Sequence, residues 1–298
     1  MARSARPIFE RPPVISIGAA LARATAVLRD AGVPSPELDA LLLLAEALQT
    51  TKAAVLAHPE RLLTEDETLR YGRLIDCRQA RMPLAYIVGH REFYGREFCI
   101  GSDVLVPRPE TELLVELALE YLQRQPASPE WTADVGTGSG VLAVTLAAEQ
   151  PGLRVVATDR SADALEVAWW NSSRLGVSAS VWTVQTDLLA GVVGPLSLVV
   201  ANLPYIPGDA IDGLMPEVAR YEPRLALDGG PDGLALNRRL LAQAPTRLAP
   251  GGLLLLEMGS DQGTALRAEA ARLLRDVDIA VVKDLAGHDR VLRARTAT

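Results

Sequence analysis

The sequence is poor in the residues that build disulfide frameworks and zinc sites. It has two cysteines, Cys77 and Cys99, and three histidines, His58, His90 and His288. The cysteines do not form a Cys-x-x-Cys pair, and the histidines are scattered along the chain. The composition therefore predicts neither a metal site nor a disulfide, and it favours a reducing, cytoplasmic location.

The sequence also lacks long apolar runs and an excess of positive charge. No apolar stretch approaches the roughly 20 residues that a membrane helix needs, so no membrane association is expected. The formal net charge is −7, whereas binding to nucleic acid regardless of its sequence depends on Lys and Arg contacts to phosphate. Direct contact with nucleic acid is therefore not expected.

The first residues of the chain loosely resemble a secretory signal peptide, because arginines precede the apolar run 14–22. However, this run contains Gly18, Arg23 follows it at once, and its apolar residues continue at helical spacing. We therefore expect residues 1–12 to form a loose terminus and the apolar residues to begin a helix.

The length of 298 residues fits two domains, because single cores rarely grow beyond about 250 residues. We predict a helical bundle over residues 1–82, a β-hairpin linker over 83–108 and a catalytic domain over 109–298. The bundle has two helix-start signals: Ser35 as a cap before Pro36, and a capping box at 64–67. Because its charges balance, the bundle is not an obvious nucleic-acid arm, and a substrate-docking or lid-like role suits it better, with simple packing as the alternative.

From residue 131 onward, strand-like and helix-like segments alternate. Such alternation predicts a doubly wound α/β domain whose mostly parallel sheet is covered on both faces. Val291–Arg295 is expected to return as a final antiparallel edge strand. The predicted strands are 131–135, 154–158, 180–184, 196–201, 253–257 and 279–283, and the predicted helices are 140–149, 162–175, 234–248 and 264–274.

A glycine-rich loop follows the first strand of this domain. Its residues are Asp134, Val135, Gly136, Thr137, Gly138, Ser139 and Gly140. Such a loop brings bare backbone against a ligand, and Asp159 at the next strand end can accept hydrogen bonds from ribose hydroxyls. Residues 138–143 also satisfy the G-x-G-x-x-A dinucleotide pattern, which leaves NAD as an alternative. The longer D-x-G-x-G-x-G run resembles the S-adenosylmethionine loop of class I, Rossmann-like methyltransferases more closely.

The segment Asn202-Leu203-Pro204-Tyr205 follows a buried strand, at the edge where α/β sheets bind ligands. It resembles the N-P-P-Y motif of methyltransferases that act on planar nitrogens. The Asn202 side-chain oxygen and the Leu203 carbonyl can accept the two hydrogens of an NH₂ group, which directs the nitrogen lone pair toward the methyl group. Tyr205 can stack on the flat amide.

Several further stretches of the sequence match motifs of a single protein family. The chain resembles the HemK/PrmC family, the protein-glutamine N5-methyltransferases that modify peptide chain release factors. The P-R-P-E-T-E and D-G-G-x-D-G-L stretches are far more specific to this family than the glycine loop. The matching stretches are 93–98, 105–112, 134–140, 202–205, 221–223, 228–234 and 283–287.

The resemblance implies a cofactor, a substrate and further site residues. The cofactor is S-adenosyl-L-methionine, and the methyl acceptor is the glutamine of the Gly-Gly-Gln motif in class I release factors. Asp187 and Leu188 are expected near the adenine, and Asn202 is expected to contact both cofactor and substrate. Pro107, Arg108 and Glu110 are expected to line the substrate site, although proline followed by acids is also simply a capped helix start.

The chain departs from the family motif at one position, where Leu203 replaces the first proline. The backbone carbonyl is retained, but the ring that fixes φ and restricts Asn202 is lost. We therefore predict weakened preorganisation and not inactivity.

Three other functions remain as alternatives. An adenine-N6 methyltransferase of DNA or RNA uses the same tetrapeptide but would have to flip a base and clamp phosphates, which the acidic balance disfavours. A cofactor-binding scaffold would not need Asn202 and Tyr205. A dehydrogenase is disfavoured because no convincing hydride-transfer site is present.

Overall fold

The computed structural model describes residues 14–125 and 131–297. The chain divides into two compact units, and the boundary along the sequence lies between Val88 and Gly89. The first unit is thus six residues longer than the predicted bundle, and the second contains the hairpin that we assigned to a linker. The predicted loose terminus, residues 1–12, lies outside the described residues. Within these ranges no helix has the length and apolarity to cross a membrane.

The first unit is helical, as predicted. Thr64 and Glu67 form the expected capping box at the start of α4. Pro36 begins α2 as predicted, but the Ser35 side chain caps nothing, so that part of the prediction was wrong. The helices are α1 Ile17–Asp30, α2 Pro36–Ala47, α3 Lys52–Ala57, α4 Glu65–Gln79 and α5 Leu84–Val88.

The core of the first unit combines leucines with two buried polar contacts. Leu28 and Leu43 are fully buried between the helices. The Tyr71 hydroxyl donates to the Ala40 carbonyl at 3.0 Å. Arg78 and Asp39 form a buried ion pair at 2.7 Å, which pairs two charges that would be costly to bury alone.

The second unit begins with the predicted hairpin, β1 His90–Phe93 and β2 Arg96–Cys99. Tyr94 and Gly95 make the turn and both have positive φ angles, as a tight two-residue hairpin turn requires. Phe93 and Phe98 are buried and meet edge to face, with ring centroids 6.2 Å apart. These two rings give the hairpin its apolar face.

The remainder of the second unit is a seven-stranded sheet with flanking helices. Its strand order is β5-β4-β3-β6-β7-β9-β8, and β5, β4, β3, β6 and β7 are parallel. The strands are β3 Trp131–Val135, β4 Arg154–Asp159, β5 Val181–Gln185, β6 Leu196–Ala201, β7 Leu248–Glu257, β8 Val277–Lys283 and β9 Asp289–Thr296. The α-helices are α6 Glu112–Gln123, α7 Val141–Glu149, α8 Ala162–Arg174, α9 Pro216–Tyr221, α10 Ala235–Gln243 and α11 Gly263–Leu273.

The doubly wound, mostly parallel fold is confirmed, but the last strand is not at the edge. The strand β9 pairs antiparallel with both β7 and β8, and β8 is the edge strand. Val291 and Leu292 on β9 are fully buried, whereas β8 is only partly covered. This burial follows from the pairing of β9 with both β7 and β8 and not from composition, since β8 contains more apolar residues than β9.

The strand order places the site. Successive connections run outward from β3 to β4 and β5 in one direction, and from β6 to β7 in the other. The neighbours β3 and β6 thus form the switch point of the sheet, where a crevice opens at the carboxyl ends of the strands. The glycine loop follows β3, and Asn202 follows β6.

Candidate active site

The loop between β3 and α7 depends on three glycines with positive φ angles, Gly136, Gly138 and Gly140. A Cβ atom on Gly136 would lie 2.8 Å from Leu203 Cδ2, and one on Gly140 would lie 3.0 Å from the Ala168 Cβ. These two positions therefore require glycine for conformation and for close packing. A Cβ atom on Gly138 would meet open space, so the backbone there is exposed to a ligand.

Asp134 organises this loop from within the protein. Its Oδ2 atom accepts hydrogen bonds from the Thr137 hydroxyl at 2.6 Å and the Ala143 N–H at 3.0 Å. Burial raises the pKa of Asp134 to about 7, against the opposing effect of these two hydrogen bonds. Asp134 lies outside the cavity lining, so its contacts fix the loop and do not reach into the cavity.

A cavity of about 540 Å³ opens beside the loop. This volume lies within the usual range for small-molecule sites. Asp134 and Gly140 are the two predicted cofactor residues that do not line it. Those that do are Gly136, Thr137, Gly138, Ser139, Asp159, Asp187, Leu188 and Asn202.

Two aspartates line the cavity at the carboxyl ends of neighbouring strands: Asp159 ends β4, and Asp187 follows β5. Asp159 accepts hydrogen bonds from the N–H groups of Gly138 at 3.0 Å and Ser161 at 2.9 Å. Each of its oxygens still has acceptor capacity for a ligand hydroxyl. Asp187 forms an ion pair with Arg239. Two acids of the cavity wall are thus held in place by contacts within the protein.

Asn202 and Leu203 bring two hydrogen-bond acceptors to the same cavity. The Asn202 Nδ2 atom donates to the Thr111 hydroxyl at 3.0 Å. Within residues 14–125 and 131–297, no group donates to the Asn202 Oδ1 atom or to the Leu203 carbonyl. Both residues and Pro204 line the cavity. The site therefore offers two unfilled oxygens next to the glycine loop.

Tyr205 does not line the cavity. Its hydroxyl donates to Glu257 Oε1 at 3.4 Å, and its carbonyl accepts from Gln262 Nε2 at 2.8 Å. Burial, followed by the charge of Glu257, raises the pKa of Tyr205 to about 12. The phenol thus stays neutral at physiological pH, and its stacking on a substrate amide remains a prediction.

Glu257, which the sequence reasoning missed, contacts Tyr205 but does not itself line the cavity. It ends β7, is 1% exposed, and its Oε2 atom has no partner among the described residues. Burial raises the pKa of Glu257 to about 7, although the Thr111 and Tyr205 hydroxyls and the charge of Arg290 oppose this rise. An acid at the carboxyl end of an apolar strand was a usable signal, since Asp159 was found in that way.

Of the three residues before α6 that were predicted to line the substrate site, only one lines the cavity. Pro107 lines the cavity, whereas Arg108 and Glu110 do not, and Glu110 is exposed. Arg108 donates to both carboxylate oxygens of Glu222, at 2.7 and 2.8 Å. Burial raises the pKa of Glu222, and Arg108 partly offsets that rise. This ion pair fastens the segment before α6 to the segment after α9.

Two further polar residues were missed because only tertiary structure reveals them. Thr111 lines the cavity and holds Asn202. Asn171 on α8 is fully buried and donates from Nδ2 to the carbonyls of Cys99 and Ser139, at 3.1 and 2.9 Å. Asn171 thereby joins the hairpin to the glycine loop.

Two family models match the chain. The model described as PrmC N-terminal domain matches residues 19–89, which is nearly the whole first unit. The model described as Methyltransferase small domain matches residues 111–218, which include the glycine loop and Asn202.

Two relatives are similar to this chain over most of its length, and both are named release factor glutamine methyltransferase. The protein of Moorella thermoacetica is 45% identical over 276 residues, which are 92% of this chain and 96% of that protein. The protein of Deinococcus radiodurans is 42% identical over 277 residues, 93% of this chain and 97% of that one.

Solved structures that resemble the chain have the same fold at low sequence identity. The hMettl16 catalytic domain in complex with MAT2A 3'UTR hairpin 6 gives a TM-score of 0.55 at 15% identity, covering 78% of this chain and 81% of that chain. A T. thermophilus 16S rRNA methyltransferase in complex with AdoMet and guanosine gives 0.50 at 18% identity, covering 70% and 49%.

Proposed function

The chain belongs to the family of release factor glutamine methyltransferases, and from this premise we propose its reaction. It transfers a methyl group from S-adenosyl-L-methionine to the side-chain amide nitrogen of the glutamine in the Gly-Gly-Gln motif of class I peptide chain release factors. The observation that carries the proposal is the pair of unfilled acceptors, Asn202 Oδ1 and the Leu203 carbonyl, in the cavity of the glycine loop.

The residues of the cavity fit the cofactor. Open backbone at Gly138 permits close approach of a ligand, and the Asp159 carboxylate can accept from ribose hydroxyls. Asp187 and Leu188 would border the adenine, and Asp134 keeps the loop in shape. Bound S-adenosylmethionine supplies a methyl group on a sulfonium, which is a good leaving group.

The protein's contribution is to orient a poor nucleophile. An amide nitrogen shares its lone pair with its carbonyl. Asn202 Oδ1 and the Leu203 carbonyl would each accept one N–H of the glutamine, which turns the lone pair toward the methyl group. These hydrogen bonds strengthen as positive charge develops on nitrogen, so they stabilise the transition state more than the ground state. Most of the rate then comes from positioning.

We also propose that the helical first unit docks the release factor and that the enzyme works in the cytoplasm without contacting nucleic acid directly. The balanced charge of this helical unit suits docking of a protein better than binding of nucleic acid. The absence of a disulfide-like cysteine pattern suits a reducing compartment.

Transfer of a labelled methyl group to a purified class I release factor tests the proposal. The wild-type chain should label the release factor, and Asn202→Ala should reduce labelling by about 100-fold or more, as loss of an oriented transition-state contact does. A release factor whose motif glutamine is replaced by alanine is the matched control. Labelling of that control, or of an adenine-containing oligonucleotide in its place, would refute the proposal.

A further inference from the structure

A second groove opens in the second unit, beside the catalytic cavity. One wall is α8, which contributes Asp163, Glu166 and two consecutive tryptophans, Trp169 and Trp170. The other wall is the end of β2 and the segment after it, as far as Asp103. We call this feature the tryptophan groove. The described residues that line it are Gly89, Cys99, Ile100, Gly101, Asp103, Asp163, Glu166, Val167, Trp169 and Trp170.

The two walls of the tryptophan groove are fastened to each other by Asn171. Its Oδ1 atom accepts from the Cys99 N–H at 2.8 Å, and its Nδ2 atom donates to the Cys99 carbonyl at 3.1 Å. The Asn171 side chain is fully buried. One amide therefore satisfies both backbone groups of Cys99 and fixes α8 against the end of β2. The groove is formed before any partner binds.

The two tryptophans are unusually exposed for their size. Trp169 is 53% exposed and Trp170 is 56% exposed, whereas tryptophan is highly buried on average in folded proteins. Adjacent exposed indole rings form an apolar patch of the kind that marks binding sites. The face of an indole ring also attracts the guanidinium of arginine and the ammonium of lysine.

The charge of the tryptophan groove is negative. Asp103, Asp163 and Glu166 line it, and neither lysine nor arginine is among its described lining residues. Within residues 14–125 and 131–297, none of these three carboxylates forms an ion pair with a side chain of the chain itself. Carboxylates beside aromatic faces recognise cationic side chains, whereas they repel the phosphates of nucleic acid.

The tryptophan groove is continuous with the catalytic cavity, because Asp103 and Asp163 line both. A protein that places a glutamine in the cavity must lay neighbouring parts of its surface over the rim. We propose that the tryptophan groove docks a positively charged segment of the release factor while its Gly-Gly-Gln loop occupies the cavity. The inference rests on the proposed function and names the surface beside the cavity that holds the protein substrate.

The double variant Trp169→Ser with Trp170→Ser tests the aromatic part of this surface. We expect the KM for a purified class I release factor to rise about 10-fold, because aromatic contacts dominate the energy of protein interfaces. The kcat and the calorimetric affinity for S-adenosylmethionine should not change. The matched control is Trp182→Ser, because Trp182 is an exposed tryptophan on β5 that lines neither the groove nor the cavity.

The variant Glu166→Lys tests the charge of the partner without touching the catalytic cavity, which Glu166 does not line. Its KM for the release factor should rise several-fold, and the rise should shrink at high ionic strength. Asp278→Lys is the matched control: Asp278 is exposed on β8, the edge strand at the far side of the sheet from β4 and β5, on which α8 packs. A lower KM for Glu166→Lys would show that the groove takes an anionic partner and would overturn the inference.

A wild-type KM for the double tryptophan variant would also overturn the inference. So would a dimer of the wild-type chain in sedimentation that becomes monomeric in this variant without a change in KM, because the groove would then hold a second copy of the chain. Failure of the wild-type chain to label a release factor would instead refute the proposed function. Calorimetric binding of the release factor separates the two failures: weaker binding by the double variant supports the groove, and equal binding overturns it.

Discussion

Leu203 occupies the position where the family motif usually has proline. Its side chain packs against the glycine loop. It is 3% exposed, and its Cδ2 atom lies where a side chain on Gly136 would have to go. The leucine thus keeps the carbonyl acceptor and adds apolar packing, but it lacks the ring that would fix φ. Rate and stability are expected to respond in opposite directions to its replacement.

The substitution Leu203→Pro is predicted to raise the single-turnover rate a few-fold and to lower the free energy of unfolding by ~2 kcal/mol. Chemical denaturation and rapid-quench kinetics measure the two effects. Leu203→Ala removes the packing without adding a ring, so it should lower stability without any gain in rate. An unchanged or lower rate for Leu203→Pro would contradict this account of preorganisation.

Glu257 makes a pH-dependent contribution to stability, because burial raises its pKa to about 7 from the ordinary value of 4.5 for a glutamate. Between these values the folded state holds more protons than the unfolded state. The contribution of Glu257 is therefore most favourable below the unfolded pKa and is lost as pH rises to about 7, on the order of 3 kcal/mol.

Glu257→Gln should remove this contribution, so its stability should fall less than that of the wild type between about pH 4.5 and 7. Urea denaturation at a series of pH values measures the difference. Asp134 has a raised pKa of the same sign, so a residual decline is expected in the variant. If the free energy of unfolding varied with pH in parallel for the variant and the wild type, the pKa of Glu257 would not be raised in the folded state.

At the scale of elements, the sequence predicted most strands and helices of the second unit because periodicity and strand-end chemistry are local signals. The position of β9 could not be predicted in that way, because strand order is set by pairing across the whole sheet, and the more apolar composition of β8 would have placed β8 inside. The roles of Thr111 and Asn171 were equally hidden, since their partners lie on distant elements.

The ion pair between Arg108 and Glu222 is predicted to fasten two elements at the cavity wall. Arg108→Ala would leave the buried Glu222 carboxylate without its partner, and a loss of about 3 kcal/mol in the free energy of unfolding is expected. The double variant Arg108→Leu with Glu222→Leu should recover much of this loss, because it removes the unpaired charge as well. Thermal unfolding measures these differences. If all of these variants were as stable as the wild type, the ion pair would not fasten the two elements.

At the scale of the whole molecule, the two compact units have separate predicted tasks. If the first unit docks the release factor, its amides should exchange hydrogen more slowly when the release factor is added to the full-length chain. Hydrogen-exchange mass spectrometry measures this for peptides within residues 14–88, with cofactor alone as the control. Protection confined to residues 89–297 would contradict the docking role.

The central claim is that the site in the second unit orients a glutamine amide for methylation. Mass spectrometry of peptides from a class I release factor, after incubation with the enzyme and S-adenosylmethionine, tests it most directly. The account predicts one added methyl group on the glutamine side chain of the Gly-Gly-Gln motif. A methyl group on any other residue, or an unmodified motif after incubation with active enzyme, would contradict it.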